Sequence, residues 1–354
     1  YTNSQAPNSP LGYAISTPKN NSLRWEKTMN FNTGVDFAFF KGKIAGSVDY
    51  YIKRGKDIFS PIESDPTKGF SNLYTNNASI ENRGVDINLT TTNMRQGRFI
   101  WQTQLTGSFN KSKVLDIKNQ YTGFYNFTRA GGAENIVGLP MNTVLALDYA
   151  GLNEMGQPMV RDDKGNLVVL SFNSQTDIPF SALKNAGVND PKYVLGFNNQ
   201  FTMGDFSLSV MLMYYGGHAG LISPPGVWEQ RPQNGVENMW RQPGDEKKTN
   251  IPGFGGAWGT PEYIEVRTGY DKAIQFVRKL DYIALRNATF TYNMKNAFTQ
   301  RAGMNNTRLI LQVQNPFKHV FSGNDVDPET LDFISGSRGL PVQPSFTFSL
   351  STNF

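Results

Sequence analysis

Apolar residues recur at every second position along much of this 354-residue chain, and that period limits its fold more than any other feature. In "FIWQTQLTGSFN", Phe99, Trp101, Leu105 and Phe109 share one parity, and Gln102, Gln104, Thr106, Ser108 and Asn110 share the other. "FSLSVMLMYY" sets Phe206, Leu208, Val210, Leu212 and Tyr214 against Ser207, Ser209, Met211 and Met213. "KIAGSVDYYI" sets Ile44, Val48, Tyr50 and Ile52 against Ala45, Ser47, Asp49 and Tyr51. The closing "PSFTFSLSTNF" sets Phe346, Phe348, Leu350 and Phe354 against Ser345, Thr347, Ser349, Ser351 and Asn353. A helix would scatter these faces around its circumference, so the chain is read as all-β.

Turns punctuate the strands unevenly. "FKGK" (40–43), "MRQG" (94–97) and "MGD" (203–205) are tight links, whereas 60–77, 117–140, 217–275 and 318–340 are long and rich in Gly, Pro and Asn. One end of the sheet therefore carries short turns and the other long loops, as in outer-membrane barrels. Counting strand directions places a further strand near 158–171, in "PMVRDDKGNLVVLSF", for a total of about 10–11 strands.

A soluble β-sandwich also alternates. Three features favour a membrane barrel. Many strands reach ten residues, against a mode of about 5–6 in globular proteins. Their polar faces are mostly Gln, Asn, Ser and Thr, which suit a hydrated lumen, and their apolar faces end in Phe, Trp and Tyr, where an aromatic girdle would sit. No apolar run approaches the roughly 18 residues of a spanning helix. Phe346, Phe348 and Leu350 then read as lipid-facing, and the terminal Phe354 as an interfacial ring that helps the assembly machinery recognise the last strand.

The chemistry of catalysis is hard to find. Cysteine is absent and only His218 and His319 are present, so thiolate and multi-histidine centres are excluded. His218, in "YYGGHAG", has no evident nucleophile beside it and reads as a loop residue. "GFGGAWG" lacks a P-loop lysine. The net charge of +5 is scattered without a basic run, which argues against nucleic acid. Asp325, Asp327 and Glu329 are spaced closely enough for a Ca²⁺ ion, although solvated turn carboxylates are the plainer reading; no cofactor is otherwise expected. Asp162 and Asp163 read as a turn. The 217–275 loop gathers Trp228, Trp240, Trp258, Tyr263 and Tyr270, which suit loop packing, contact with a partner protein, or stacking on substrate.

Several stretches together resemble the SusC/RagA family of TonB-dependent outer-membrane transporters. They are "LRWEKT" (23–28), "GVDFAFFKGKIAGSVDYYIKRGKDIF" (34–59), "NASIENRGVDINL" (77–89), "GSFNKSKVLDI" (107–117), "GLPMNTVLALDYAGLNEMGQP" (138–158), "WRQPGDEKKTNIPGF" (240–254), "LDYIALRNATFTYNM" (280–294), "RLILQVQNPF" (308–317) and "DVDPET" (325–330). Each is weak alone; their ordered succession carries the resemblance. "QNPF" departs from the family's Gln-Asn-Leu-Phe, and "GNDVDPET" is longer than its Gly-x-Asp-Pro-Glu. The resemblance implies a barrel of about 22 strands around an N-terminal plug. Residues 1–354 would be its C-terminal portion, without the plug and the first half of the barrel. It further implies import of oligosaccharides or oligopeptides across the outer membrane of a Gram-negative bacterium. A SusD-like surface lipoprotein would act as lid, TonB would supply energy through the N-terminal part, outer-membrane lipid would surround the wall, and no enzymatic step would occur. The alternatives are a soluble, secreted β-rich glycan-binding or adhesin module with its apolar faces turned inward, and a passive porin without a plug.

Overall fold

The computed structural model describes all residues except 1, 5–11, 15–18, 64–66, 68–71, 119–134, 171–177, 225–235, 254–268, 295–300, 302, 324–325, 334 and 354. Nine strands form one antiparallel sheet: β1 (Lys27–Phe39), β2 (Ile44–Glu63), β3 (Asn72–Gln96), β4 (Phe99–Ile117), β5 (Tyr193–Met203), β6 (Phe206–Gly216), β7 (Tyr282–Met294), β8 (Asn305–Val320) and β9 (Ser345–Asn353). Each pairs with its neighbour in sequence, so the sheet is an up-and-down meander. Among the described residues, β1 and β9 each have one unpaired edge.

The tight links fall where the sequence places them. Phe40, Lys41 and Gly42 all adopt the left-handed region between β1 and β2, and Gly42 N–H donates to Phe39 O at 3.1 Å. Gly97 and Gly204 take positive φ in the two other short turns; these are positions where a Cβ would be strained.

Register locks the two faces into rows that cross the sheet. Phe37, Gly46, Leu89, Leu105, Phe197, Leu212, Leu285 and Phe317 are successive cross-strand partners from β1 to β8. A parallel row on the opposite face runs Thr92, Gln102, Gln200, Ser209, Thr289, Gln312 and Thr347. The apolar face is not covered by a second sheet: Val35 is 67% exposed, Phe346 76% and Phe348 66%. A single sheet with an uncovered apolar face is the wall of a membrane barrel, and it overturns the soluble sandwich with inward-facing rings.

The buried core lies instead at the long-loop end. Leu145, Leu147, Val160, Leu170, Ile178, Ala182 and Tyr270 pack together there, flanked by Phe180, Leu183 and Phe276. Thr143–Leu147 pairs with Leu183–Val188, and Ala219–Leu221 pairs with Val277–Lys279. The long loops therefore build a folded head.

Of the stretch 158–171, expected to be a wall strand, the described residues 158–170 belong to this head. Pro158–Arg161 and Leu167–Val169 form a small hairpin beside Tyr149–Leu152. Asp162 Oδ1 accepts from the Lys164 and Asn166 N–H groups at 2.9 and 2.7 Å, closing the hairpin around Gly165. Val160 and Leu170 supply apolar surface to the head, which outweighs extension along the wall. Nine strands satisfy the directions of the short turns without it.

Candidate functional site

Chemistry that could meet a solute lies on the polar face and where that face meets the head. On β1 to β4 a cavity of ≈ 850 Å³ is lined by Asn30, Asn32, Asp49, Tyr51, Lys53, Asn82, Asp86 and Asn110. Strand register builds it: Asn30 faces Lys53 and then Asn82, while Asp49 faces Asp86 and then Ser108. Tyr51 Oη donates to Asn110 Oδ1 at 3.2 Å, and Ser108 Oγ donates to Asp86 Oδ1 at 2.7 Å. Lys53 Nζ lies 5.8 Å from the centre of the Tyr51 ring. Amides, hydroxyls and scattered charges of both signs offer many weak, exchangeable hydrogen bonds and no reactive group.

A second cluster forms where β6, β7 and β8 enter the head. Tyr215 and Tyr282 stack at 4.8 Å with planes 14° apart. The register of β7 skips Arg286 against both neighbours, between Leu285 and Asn287. That irregularity turns its guanidinium over the Tyr215 ring at 5.5 Å. Arg286 also bonds Glu329, which arrives on the loop between β8 and β9. Lys318 Nζ contacts Asp327 Oδ1 at 2.7 Å and Glu329 Oε2 at 2.5 Å. Burial alone would raise the Glu329 carboxyl, but hydrogen bonds from Arg286 and Lys318 outweigh it and hold it at about 2.

Of the three carboxylates expected together, Asp327 and Glu329 do converge, and their shared counter-charge is an ammonium. Asp325 lies outside the described residues. No group of three potential metal ligands occurs among the described residues.

Of the loop aromatics, Trp228, Trp258 and Tyr263 lie outside the described residues. Trp240 packs its indole against Gly156 and Gly253, close enough that a Cβ on Gly156 would come within 2.4 Å of Cδ2. Tyr270 is buried, and both it and Tyr149 donate their hydroxyls to Asn250 O, at 2.7 and 3.0 Å. These three rings hold the head together.

His218 is buried, with Nδ1 3.7 Å from Asp281 Oδ1. Burial lowers its pKa, and Asp281 offsets this only in part. Phe346, Phe348 and Leu350 stand exposed on the apolar face of β9, as their parity requires; Phe354 lies outside the described residues.

The polar cavity was within reach of the sequence, because all its lining residues but Phe31 fall on the non-oily parity once the strands are in register. The Arg286 cluster was not, because it depends on an irregularity that parity reading skips.

Comparison with known proteins accords with this architecture. The family model described as "TonB dependent receptor-like, beta-barrel" matches residues 1–306. The TonB-dependent receptor P39 of Formosa agariphila is 25% identical over 96% of this chain and 36% of its own length. SusC of Bacteroides thetaiotaomicron is 29% identical over 32% of this chain and 12% of its own. A solved structure of the RagAB peptide transporter superposes with a TM-score of 0.77 and 20% identity, over all of this chain and 38% of that one. The chain thus spans about a third of the length of P39. These relatives are transporters and receptors of the bacterial outer membrane, not enzymes. An uncovered oily face, an amide-lined opposite face and the match over most of its length lead to one conclusion: this chain belongs to the TonB-dependent receptor β-barrel family.

Proposed function

We propose that residues 1–354 form the C-terminal wall and loop head of a TonB-dependent importer in the outer membrane of a Gram-negative bacterium. The rest of the barrel and a plug would be supplied by the remainder of the protein. The observation that carries this reading is the nine-strand meander with an exposed apolar face and an amide-rich opposite face. In hydrocarbon, each unpaired backbone group at the β1 and β9 edges costs several kcal/mol, so further strands must meet both edges.

The imported solute is an oligosaccharide or an oligopeptide, captured under a SusD-like lipoprotein seated on the head and released by TonB-driven plug movement. The wall contributes passage. Asn, Gln, Ser and Thr side chains exchange hydrogen bonds with solute and water at little net cost, so a solute is guided without being trapped. The likeness to SusC and to the RagAB peptide transporter supports this reading.

The test is uptake by cells carrying the whole protein, measured against a panel of labelled glycans and peptides, with TonB present or deleted. TonB-dependent accumulation of a panel member is the expected result. Recovery of the protein in the soluble fraction without detergent would overturn the reading.

A further inference from the structure

Above the oily face, at its long-loop end, the chemistry changes abruptly within two rows. The last apolar row is Tyr50, Val85, Phe109 and Tyr193, whose partners are fixed by register. Phe109 and Tyr193 meet edge to face at 5.7 Å. The next row on that face is Ile52, Arg83 and Lys111, and the one beyond it Arg54, Glu81 and Lys113. Four cations and one carboxylate thus stand directly over an aromatic belt, on the side where a lipid leaflet would end.

The single acid does not neutralise this ledge. Glu81 is 2% exposed and sits between the two arginines: Arg54 Nε donates to its Oε2 at 2.5 Å and Arg83 Nε to its Oε1 at 2.9 Å. The guanidiniums remain 43% and 52% exposed. Each has five N–H donors, so the carboxylate fixes both planes and leaves donors free to face outward. Lys111 and Lys113 are exposed beside them.

A cavity of ≈ 750 Å³ opens against the same rows. Tyr50, Val85, Phe109 and Tyr193 line it together with Arg83, Lys111 and Lys192; Asp190, the one carboxylate among its lining residues, accepts from the Asn142 amide at 3.0 Å. Apolar below and cationic above, it is complementary to an amphiphile whose acyl chains lie along the belt and whose anionic head stands at the ledge.

We propose that this ledge binds the phosphate groups of a phosphorylated glycolipid of the outer leaflet, with Arg54, Arg83, Lys111 and Lys113 as its ligands. The inference rests on the membrane reading and goes beyond it, since transport itself requires no such site.

The test uses the whole protein, inserted into phosphatidylethanolamine vesicles containing either phosphorylated or dephosphorylated lipid A. Lipid retained through detergent extraction is then quantified. Wild type is expected to retain the phosphorylated form preferentially. The double variant Lys111→Gln/Lys113→Gln, at two exposed positions, is expected to lose that preference by roughly thirtyfold, the scale for removing two cations from an anionic interface. Arg54→Gln/Arg83→Gln should lose it as well, with heat-modifiable migration on a gel confirming a folded barrel.

Equal retention of both lipids, or an unchanged preference in the lysine variant, overturns the proposal while leaving the membrane reading intact. Displacement by millimolar inorganic phosphate alone would also overturn it, by showing a site for free phosphate. Failure to insert into either vesicle removes the membrane reading and this inference with it.

Discussion

Glu329, on the loop between β8 and β9, is joined to Arg286, the residue that the register of β7 skips. The loop between β8 and β9 is thereby tied to the wall by a partly buried ion pair, extended through Lys318 to Asp327.

Glu329→Gln should loosen this tie. Removing one partner of a buried pair leaves the other uncompensated at a cost of about 3–5 kcal/mol, and the residual exposure here puts the expected loss nearer 1–3 kcal/mol. Limited proteolysis of the detergent-solubilised protein should then cut within 321–344 while the nine strands stay protected. Unchanged cleavage would show that the pair does not hold the loop.

Acid should act through the same residue. The folded carboxyl sits at about 2, below its ordinary value of 4.5, so the folded state holds fewer protons than the unfolded chain between those limits. The stability Glu329 contributes is therefore complete above about 4.5 and lost as the pH falls towards 2. A thermal midpoint followed across that window should fall in wild type and change less in E329Q.

His218 gives a second, separate window. Its pKa is lowered by burial, so the unfolded chain takes up a proton more readily than the folded one. Its contribution is complete above 6.5 and declines as the pH drops below that value. His218→Gln should flatten the stability slope just below pH 6.5 without touching the Glu329 window; an unaltered slope would assign it to other groups.

The two faces should answer oppositely to charge. Arginine at Leu105 or Phe197, on the oily row, should cost about 2–4 kcal/mol of folding free energy into vesicles, whereas Gln104→Arg on the polar face should cost little. Urea titration of the refolded barrel measures all three, and equal costs would reverse the assignment of the faces.

Gly156→Ala probes the head. The residue has φ of 73°, and its new methyl would meet the Trp240 indole, so overpacking of about 1–3 kcal/mol is expected. The loss should appear in near-ultraviolet ellipticity of the head, with the sheet signal unchanged. An unaltered aromatic signal would mean that Trp240 is not packed there.

The strands themselves were legible because a two-residue period leaves little choice of face: Phe99 to Phe109 and Phe206 to Tyr214 lie as their parity demands. The tight turns were legible from Gly42, Gly97 and Gly204. The hairpin at 158–169 was not, since alternation looks the same in a wall strand and in a loop; what distinguishes them is the buried company of Val160 and Leu170, drawn from segments far along the chain. The core of the head was visible only as scattered apolar runs such as "TVLAL". Aromatic residues of the 217–275 loop could be found in the sequence, but whether a ring packs or projects depends on neighbours such as Gly156, some eighty positions from Trp240.

The meander carries a consequence for assembly. Since every strand lies beside its sequence neighbour, the wall can grow hairpin by hairpin, β1 with β2, β3 with β4 and β5 with β6, each closed by a turn of a few residues. The long connections add little to the entropy of closure, because that term rises only with the logarithm of length. Insertions on the outward side can thus enlarge into a folded head at little cost in stability, while each tight hairpin beneath it closes on its own.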